Sequence, residues 1–292
     1  MARVLIAGCG YVGAATAELF QAAGWEVEGW THSAESAARL GEKLYVVRPV
    51  DISERAAVDA AARKFDAVIH CASSGGGGAA DYRRVYLAGA RNLMQALRPA
   101  RFIFTSSTSV YAQTNGEWVD EESAAEPQHE TGRILRETEE FVRENGGTVA
   151  RLAGIYGPGR SVLLRRFLSG EARLEGDGGR FLNQVHRDDI AAAFVYLTSL
   201  PNDGIFNVSD DEPITQRAAY AWMAQTLERP LPRTAEEVAV RKRGASNKRV
   251  SNRKLRGLGW KLLHPDFRSG IAASVIPSEV ERSGTKSRDP AG

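Results

Sequence analysis

The sequence predicts a doubly wound α/β fold, a parallel sheet with helices on both faces, carrying a smaller C-terminal lobe. Three observations predict it. Strand-like apolar runs alternate with helix-like runs from the first residues. A glycine-rich segment, Gly8-Cys9-Gly10-Tyr11-Val12-Gly13, stands at the first strand-to-helix junction. The 292 residues are 43% hydrophobic and 25% charged, so the chain can bury a large core and is not disordered throughout.

The elements follow in order. Arg3–Ala7 is a short apolar strand, and Val12–Ala23 places Val12, Ala15, Leu19 and Ala23 at helical spacing. Glu26–Trp30 reads as a strand, Ser33–Leu40 as a helix and Leu44–Val47 as a third strand. Glu54–Lys64 is alanine-rich and helical in pattern, and Asp66–Cys71 is the fourth strand. Asp81–Leu97 has the length of a helix, and Arg101–Thr105 is a fifth strand. This β-α-β-α order favours a parallel sheet joined by right-handed crossovers. Beyond Ala150 the pattern loosens. Arg151–Ile155 reads as one more strand, Val162–Leu168 and Gln216–Glu228 as helices, and Pro201–Pro213 as a proline-punctuated connection. The expected organisation is a dinucleotide-binding domain over 1–160, to which later segments can add strands, a substrate lobe over 161–272, and a disordered tail over 273–292.

Composition narrows the function classes. The charge of 38 − 36 = +2 gives no global reason to expect nucleic acid. No apolar run approaches the roughly 18 residues of a membrane span. The N-terminus reads as a strand rather than a secretory signal. Two cysteines, Cys9 and Cys71, make no disulfide framework, and the expected compartment is the cytoplasm. The histidines show no metal-ligand spacing, so no metal is expected.

The glycine motif carries the first chemistry. Gly8, Gly10 and Gly13 permit a tight turn, and the amides around Tyr11 and Val12 face a pyrophosphate at the helix N-terminus. A Rossmann-type dinucleotide site needs a ribose reader at the end of the second strand. Glu28 lies before that end, and Thr31, His32 and Ser33 follow it. Without a carboxylate at the tip nothing repels a 2′-phosphate, and these three side chains can donate to one. The expectation is NADP ahead of NAD, with NAD the second cofactor.

Six segments, in order, resemble the extended and atypical short-chain dehydrogenase/reductases of the epimerase/dehydratase branch, over residues 2–272. Asp51-Ile52 resembles the pair near the adenine, and Asp66–Ala72 the strand beneath the cofactor, with Cys71 and Ala72 at its end. Gly89–Leu93 is similar to GTxNL. Phe104–Tyr111 resembles the fifth strand with SSxxVYG, placing Thr105 near the cofactor and Ser107 at the hydroxyl position. Arg151–Arg160 resembles RxxxxYGPG, and Val185–Ile190 resembles VHVDDV. The resemblance implies an NAD(P)-dependent oxidoreductase or epimerase. Its usual chemistry needs Tyr and Lys four residues apart on one helix face. Here YGxSKxxxE maps onto Thr131-Gly132-Arg133-Ile134-Leu135 and Glu139, and no lysine occurs between Lys64 and Lys242. Two expectations follow. One is an enzyme with a substitute acid/base, from Tyr111, His129, Glu130, Thr131, Tyr156 or His186, with Arg133 as a cation. The other is a catalytically silent NADP(H)-binding sensor or interaction protein.

The substrate side is thinner. Arg241–Arg256 holds eight basic and no acidic residues. It reads either as a solvated surface or as an anion grip, with Arg249, Ser251 and Asn252 the choice for a phosphate-containing, nucleotide-sugar-like small molecule. Gly75–Gly78 reads either as a linker or as a mobile loop beside the nicotinamide. A homodimer is compatible with all of this.

Overall fold

The computed structural model describes residues 1–201, 204–235 and 246–273. The expected disordered tail beyond 273 and the first residues of the basic run, 241–245, lie outside the described residues. In chain order the strands and helices are β1 (Arg3–Ala7), α1 (Tyr11–Ala22), β2 (Glu26–Thr31), α2 (Ala34–Ala38), β3 (Val46–Pro49), α3 (Arg55–Ala61) and β4 (Ala67–His70). Next come α4 (Ala79–Tyr82), a π-helical stretch (Arg83–Ala88), α5 (Gly89–Leu97), β5 (Arg101–Ser107), β6 (Glu117–Val119) and α6 (Glu130–Glu144). The chain continues through β7 (Thr148–Leu152), β8 (Gly154–Tyr156), α7 (Val162–Leu168), β9 (Phe181–Leu182), β10 (Gln184–His186) and α8 (Arg187–Ser199). It closes with β11 (Ile205–Val208), β12 (Ile214–Thr215), α9 (Gln216–Thr226), β13 (Lys248–Val250) and α10 (Arg253–Gly257).

Seven strands form one parallel sheet in the order β3-β2-β1-β4-β5-β7-β11. The period of two along β1 explains how it is buried. Leu5 and Ala7 join Trp30, Val68 and Phe104 on one face, while Val4 and Ile6 join Ile69, Ile103 and Phe194 on the other. Helix α1 packs Val12, Ala17 and Phe20 against Ile190, Phe194 and Leu197 of α8. A third cluster, built on Tyr156, Phe167, Tyr220 and Phe267, forms the smaller lobe. The strand order reverses between β1 and β4, and the crevice at their carboxyl ends is where such sheets bind ligands.

Several expectations shift. The single strand over Arg151–Ile155 is two elements: β7 ends at Leu152, and β8 leaves the main sheet to pair with β10. The proline-punctuated segment contains β11, whose pairing with β7 supplies the seventh strand from far beyond residue 160. The third strand is displaced to Val46–Pro49, and the helix expected over Asp81–Leu97 starts at Ala79 and passes through the π-helical stretch.

Candidate active site

The glycine loop joins β1 to α1 under tight steric control. Gly8 has φ +98°, and a Cβ there would stand 2.2 Å from the Ala72 nitrogen. A Cβ on Gly13 would stand 2.3 Å from the Gly8 carbonyl oxygen. The turn is pinned by Gly8 and Cys9 amides donating to the Trp30 carbonyl, at 3.0 and 2.8 Å. Helix α1 has no side-chain cap, so its first amides are left for a ligand.

A cavity of about 790 Å3 opens over this loop. It is lined by Gly8, Gly10, Tyr11, Val12, Thr31 and His32, by Cys71, Ala72 and Thr105, and at the β5 end by Ser107 and Leu135. Thr105 Oγ1 is buried with no hydrogen-bond partner, and the cavity accepts a ligand that would supply one. Volume, helix terminus and orphaned hydroxyl fit a dinucleotide.

The ribose end differs from expectation in detail. Ser33 does not line the cavity. Its Oγ caps α2 by accepting from the Ser36 amide at 3.2 Å and donates to Ser36 Oγ at 3.1 Å. Ser36, Arg39 and Lys43 line the cavity instead. Arg39 pairs with Glu35 and Lys43 with Glu18, both exposed contacts that hold these cations weakly. Glu28 is buried behind the strand, held by Trp30 Nε1 at 2.8 Å and by Arg48 and Arg63. Asp51 and Ile52 do not line the cavity. Burial opposes ionisation of Asp51, but the Ser53 hydroxyl and amide, His32 and Arg84 outweigh it and hold its pKa below the ordinary value. The Gly10–Tyr11 edge carries two cations that the sequence did not single out: Arg160 and Arg187 each lie 5.1 Å from the centre of the Tyr11 ring.

A smaller cavity of about 260 Å3 adjoins the first and shares Tyr82 and Leu135 with it. Ser109, Tyr111, Gln128, His129 and Thr131 are among the groups lining it. Helix α6 thus carries Thr131 and Leu135 to the walls of these cavities, and no phenol or ammonium stands at either position. Ser107 Oγ accepts from the Ser109 amide at 3.2 Å, which leaves its hydrogen for a ligand.

Several expected acid/base groups are committed elsewhere. The Tyr111 hydroxyl donates to Asn207 Oδ1 at 3.0 Å and accepts from Arg151 Nη1 at 2.8 Å, and burial raises its pKa. Its phenol therefore belongs to the core, a correction to its candidacy. Tyr156 lines neither cavity, and its hydroxyl donates to the Asp266 carbonyl. Burial raises its pKa too, and it serves the lobe core. Arg133 turns away to the Gln128 carbonyl, and Glu130 lines neither cavity. His186 caps α8, with Nδ1 accepting from the Asp188 amide. Burial, then His264 and Arg187, push it down to about 4 against Asp188. Ligand atoms of His186, Asp188 and His264 come within 4.8 Å of one another, a grouping that no sequence spacing shows. Arg187 already holds Asp188 at 2.9 Å. The cysteines face inward: Cys9 Sγ lies 3.7 Å from Tyr45 Oη, and Cys71 Sγ donates to the Gly8 carbonyl. Burial raises both thiols.

The sequence missed one buried cation. Lys248 donates to the Tyr111 carbonyl at 2.8 Å and to Ser246 Oγ at 3.0 Å, just behind the smaller cavity. Burial, with help from Arg180, lowers it to about 8. Arg249 lines neither cavity. Its Nε donates to the Gly116 carbonyl at 2.7 Å, and its guanidinium lies 5.1 Å from the ring centres of Trp118 and Phe181. Asn252 is likewise structural, donating to the Ser209 carbonyl and to Asp211, while Ser251 Oγ accepts from the Arg253 amide.

The model of the NAD dependent epimerase/dehydratase family matches residues 4–209. The chain belongs to that family. Protein YeeZ of Escherichia coli is 33% identical over 239 residues, covering 78% of this chain and 84% of the relative. A 3-diazoavenalumate denitrifying reductase from a Streptomyces species is 30% identical over 161 residues, 48% of this chain and 52% of that protein. A Methylobacillus flagellatus structure described as an NAD-dependent epimerase/dehydratase superposes with TM-score 0.77 at 27% identity, covering 95% of this chain and 99% of the other. The Thermus thermophilus UDP-glucose 4-epimerase complex with NAD shares the fold, with TM-score 0.79 at 22% identity, covering 94% and 98%. The protein is an enzyme of the NAD-dependent epimerase/dehydratase type, with a nicotinamide cofactor site. Among the described residues no helix is long and apolar enough to cross a membrane.

Proposed function

We propose that this enzyme is an NADP-linked oxidoreductase acting on a small polar carbonyl or hydroxyl compound, with no Tyr–Lys pair at positions 131 and 135. One observation carries the reading. A single cavity is lined by His32, Arg39 and Lys43 at the β2 side and by Ser107 and Leu135 at the β5 side. A bound dinucleotide would supply hydride chemistry there. The α1 amides, with Arg160 and Arg187 beside Tyr11, would hold its diphosphate, and Arg39 and Lys43, which line the same cavity, would meet a 2′-phosphate. Ser107 donates a hydrogen bond to the reacting oxygen. The adjoining cavity of about 260 Å3 sits just below the usual range of ligand pockets, which favours a small substrate.

Fluorescence titration with NADPH and NADH tests the cofactor reading. The expected result is binding of both, with NADPH about ten-fold tighter. Tighter binding of NADH overturns the assignment of Arg39 and Lys43.

A further inference from the structure

With Thr131 and Leu135 at the relay positions, the proton for carbonyl reduction has to come from another wall. The residues common to both cavities are Tyr82 and Leu135. Leu135 has no proton to give. Among the described residues Tyr82 is then the one ionisable side chain that lines the larger cavity and the smaller cavity together. It sits at the last residue of α4, where the helix widens into the π-helical stretch Arg83–Ala88. Such stretches are frequent at functional sites because they re-aim side chains. The ring is fixed by an edge-on contact with Tyr86, 4.9 Å between centres, and only 6% of the residue is exposed. Tyr86 lines the larger cavity and not the smaller one, and its hydroxyl accepts from the Ser74 amide. Ser107 stands on β5 in the same cavity, but a serine hydroxyl is too weak an acid for the task.

We propose that Tyr82 is the proton-transferring catalytic residue, acting from the helix after β4 rather than from α6. The inference rests on the cofactor reading above. The carbonyl carbon receives hydride from the reduced nicotinamide, and the C=O π pair moves to oxygen. That oxygen takes the proton from Tyr82 Oη, and the phenolate regains one from water. Ser107 holds the same oxygen by its hydrogen bond.

The test needs no substrate. Protein labelled with 13C at tyrosine Cζ is titrated with base, alone and with saturating NADP+. A cationic nicotinamide beside a phenol favours its ionised form, so one tyrosine should titrate about one pH unit lower with NADP+ than without. That resonance should vanish in Tyr82→Phe and persist in Tyr86→Phe, while NADPH affinity changes less than about two-fold. Tyr82→Trp removes the same phenol if the Phe variant fails to fold. If NADP+ binds and no tyrosine shifts, or the shifted resonance survives in the Tyr82 variants, the proposal is overturned and the cofactor reading stands. If neither nicotinamide cofactor binds, both fall.

Discussion

Arg151→Met probes the buried network that joins β7, α6 and the carboxyl end of β5. Arg151 is 2% exposed in its side chain and lies against Glu139, which is 0% exposed. The pair is bidentate, with Nε to Oε1 at 3.0 Å and Nη2 to Oε2 at 2.7 Å. Ser106 donates to the same carboxylate at 2.6 Å, one residue before Ser107. Removing one partner of a buried pair typically costs about 3–5 kcal/mol, because the other charge is stranded. Arg136 still reaches Glu139 from a side chain 26% exposed, so the lower end, about 3 kcal/mol, is expected. Removing both partners strands less charge, so Arg151→Met with Glu139→Met should cost at least about 2 kcal/mol less than the two single losses summed. Urea denaturation of the four proteins at neutral pH reads the whole cycle. A single Arg151→Met loss under about 1 kcal/mol, or strict additivity, would refute the network as a stabilising unit.

Gly8→Ala forces a Cβ to within 2.2 Å of the Ala72 backbone, so the loop must part from β4. NADPH affinity should fall at least about 100-fold in a fluorescence titration, and near-native affinity would count against the loop. Arg39→Ala combined with Lys43→Ala should weaken NADPH about ten-fold and leave NADH unchanged, as read by calorimetry. His70 and His186 both titrate near 4 in the fold, below the ordinary histidine value near 6.5. The unfolded chain therefore binds more protons in that window, so stability should be lost as pH falls from about 6.5 toward 4, and His186→Asn should flatten the slope of urea midpoint against pH.

Much of the architecture was legible because its signals are local. The β1–glycine loop–α1–β2 run shows its periods within a few residues, and the apolar strands are buried on both faces. β11 was hidden among prolines, since its identity as a strand depends on pairing with β7, more than fifty residues earlier. The tight turn between β1 and α1 was readable from its glycines. The cations were not, because Arg39, Lys43, Arg160 and Arg187 reach one cavity from three separate segments. Tyr82 carries no spacing relation to Leu135, and the π-helical stretch that places it leaves no periodic mark. Tyr111 looked available because its motif points to the cofactor, but Arg151 and Asn207 draw its hydroxyl into the core.

A crystal structure with NADPH tests the central claim most directly. The expected result is the diphosphate against the amides of Tyr11 and Val12, the 2′-phosphate beside Arg39 and Lys43, and the nicotinamide between Ser107, Leu135 and Tyr82. A cofactor bound elsewhere, or turned so that its adenine meets Leu135, would contradict it.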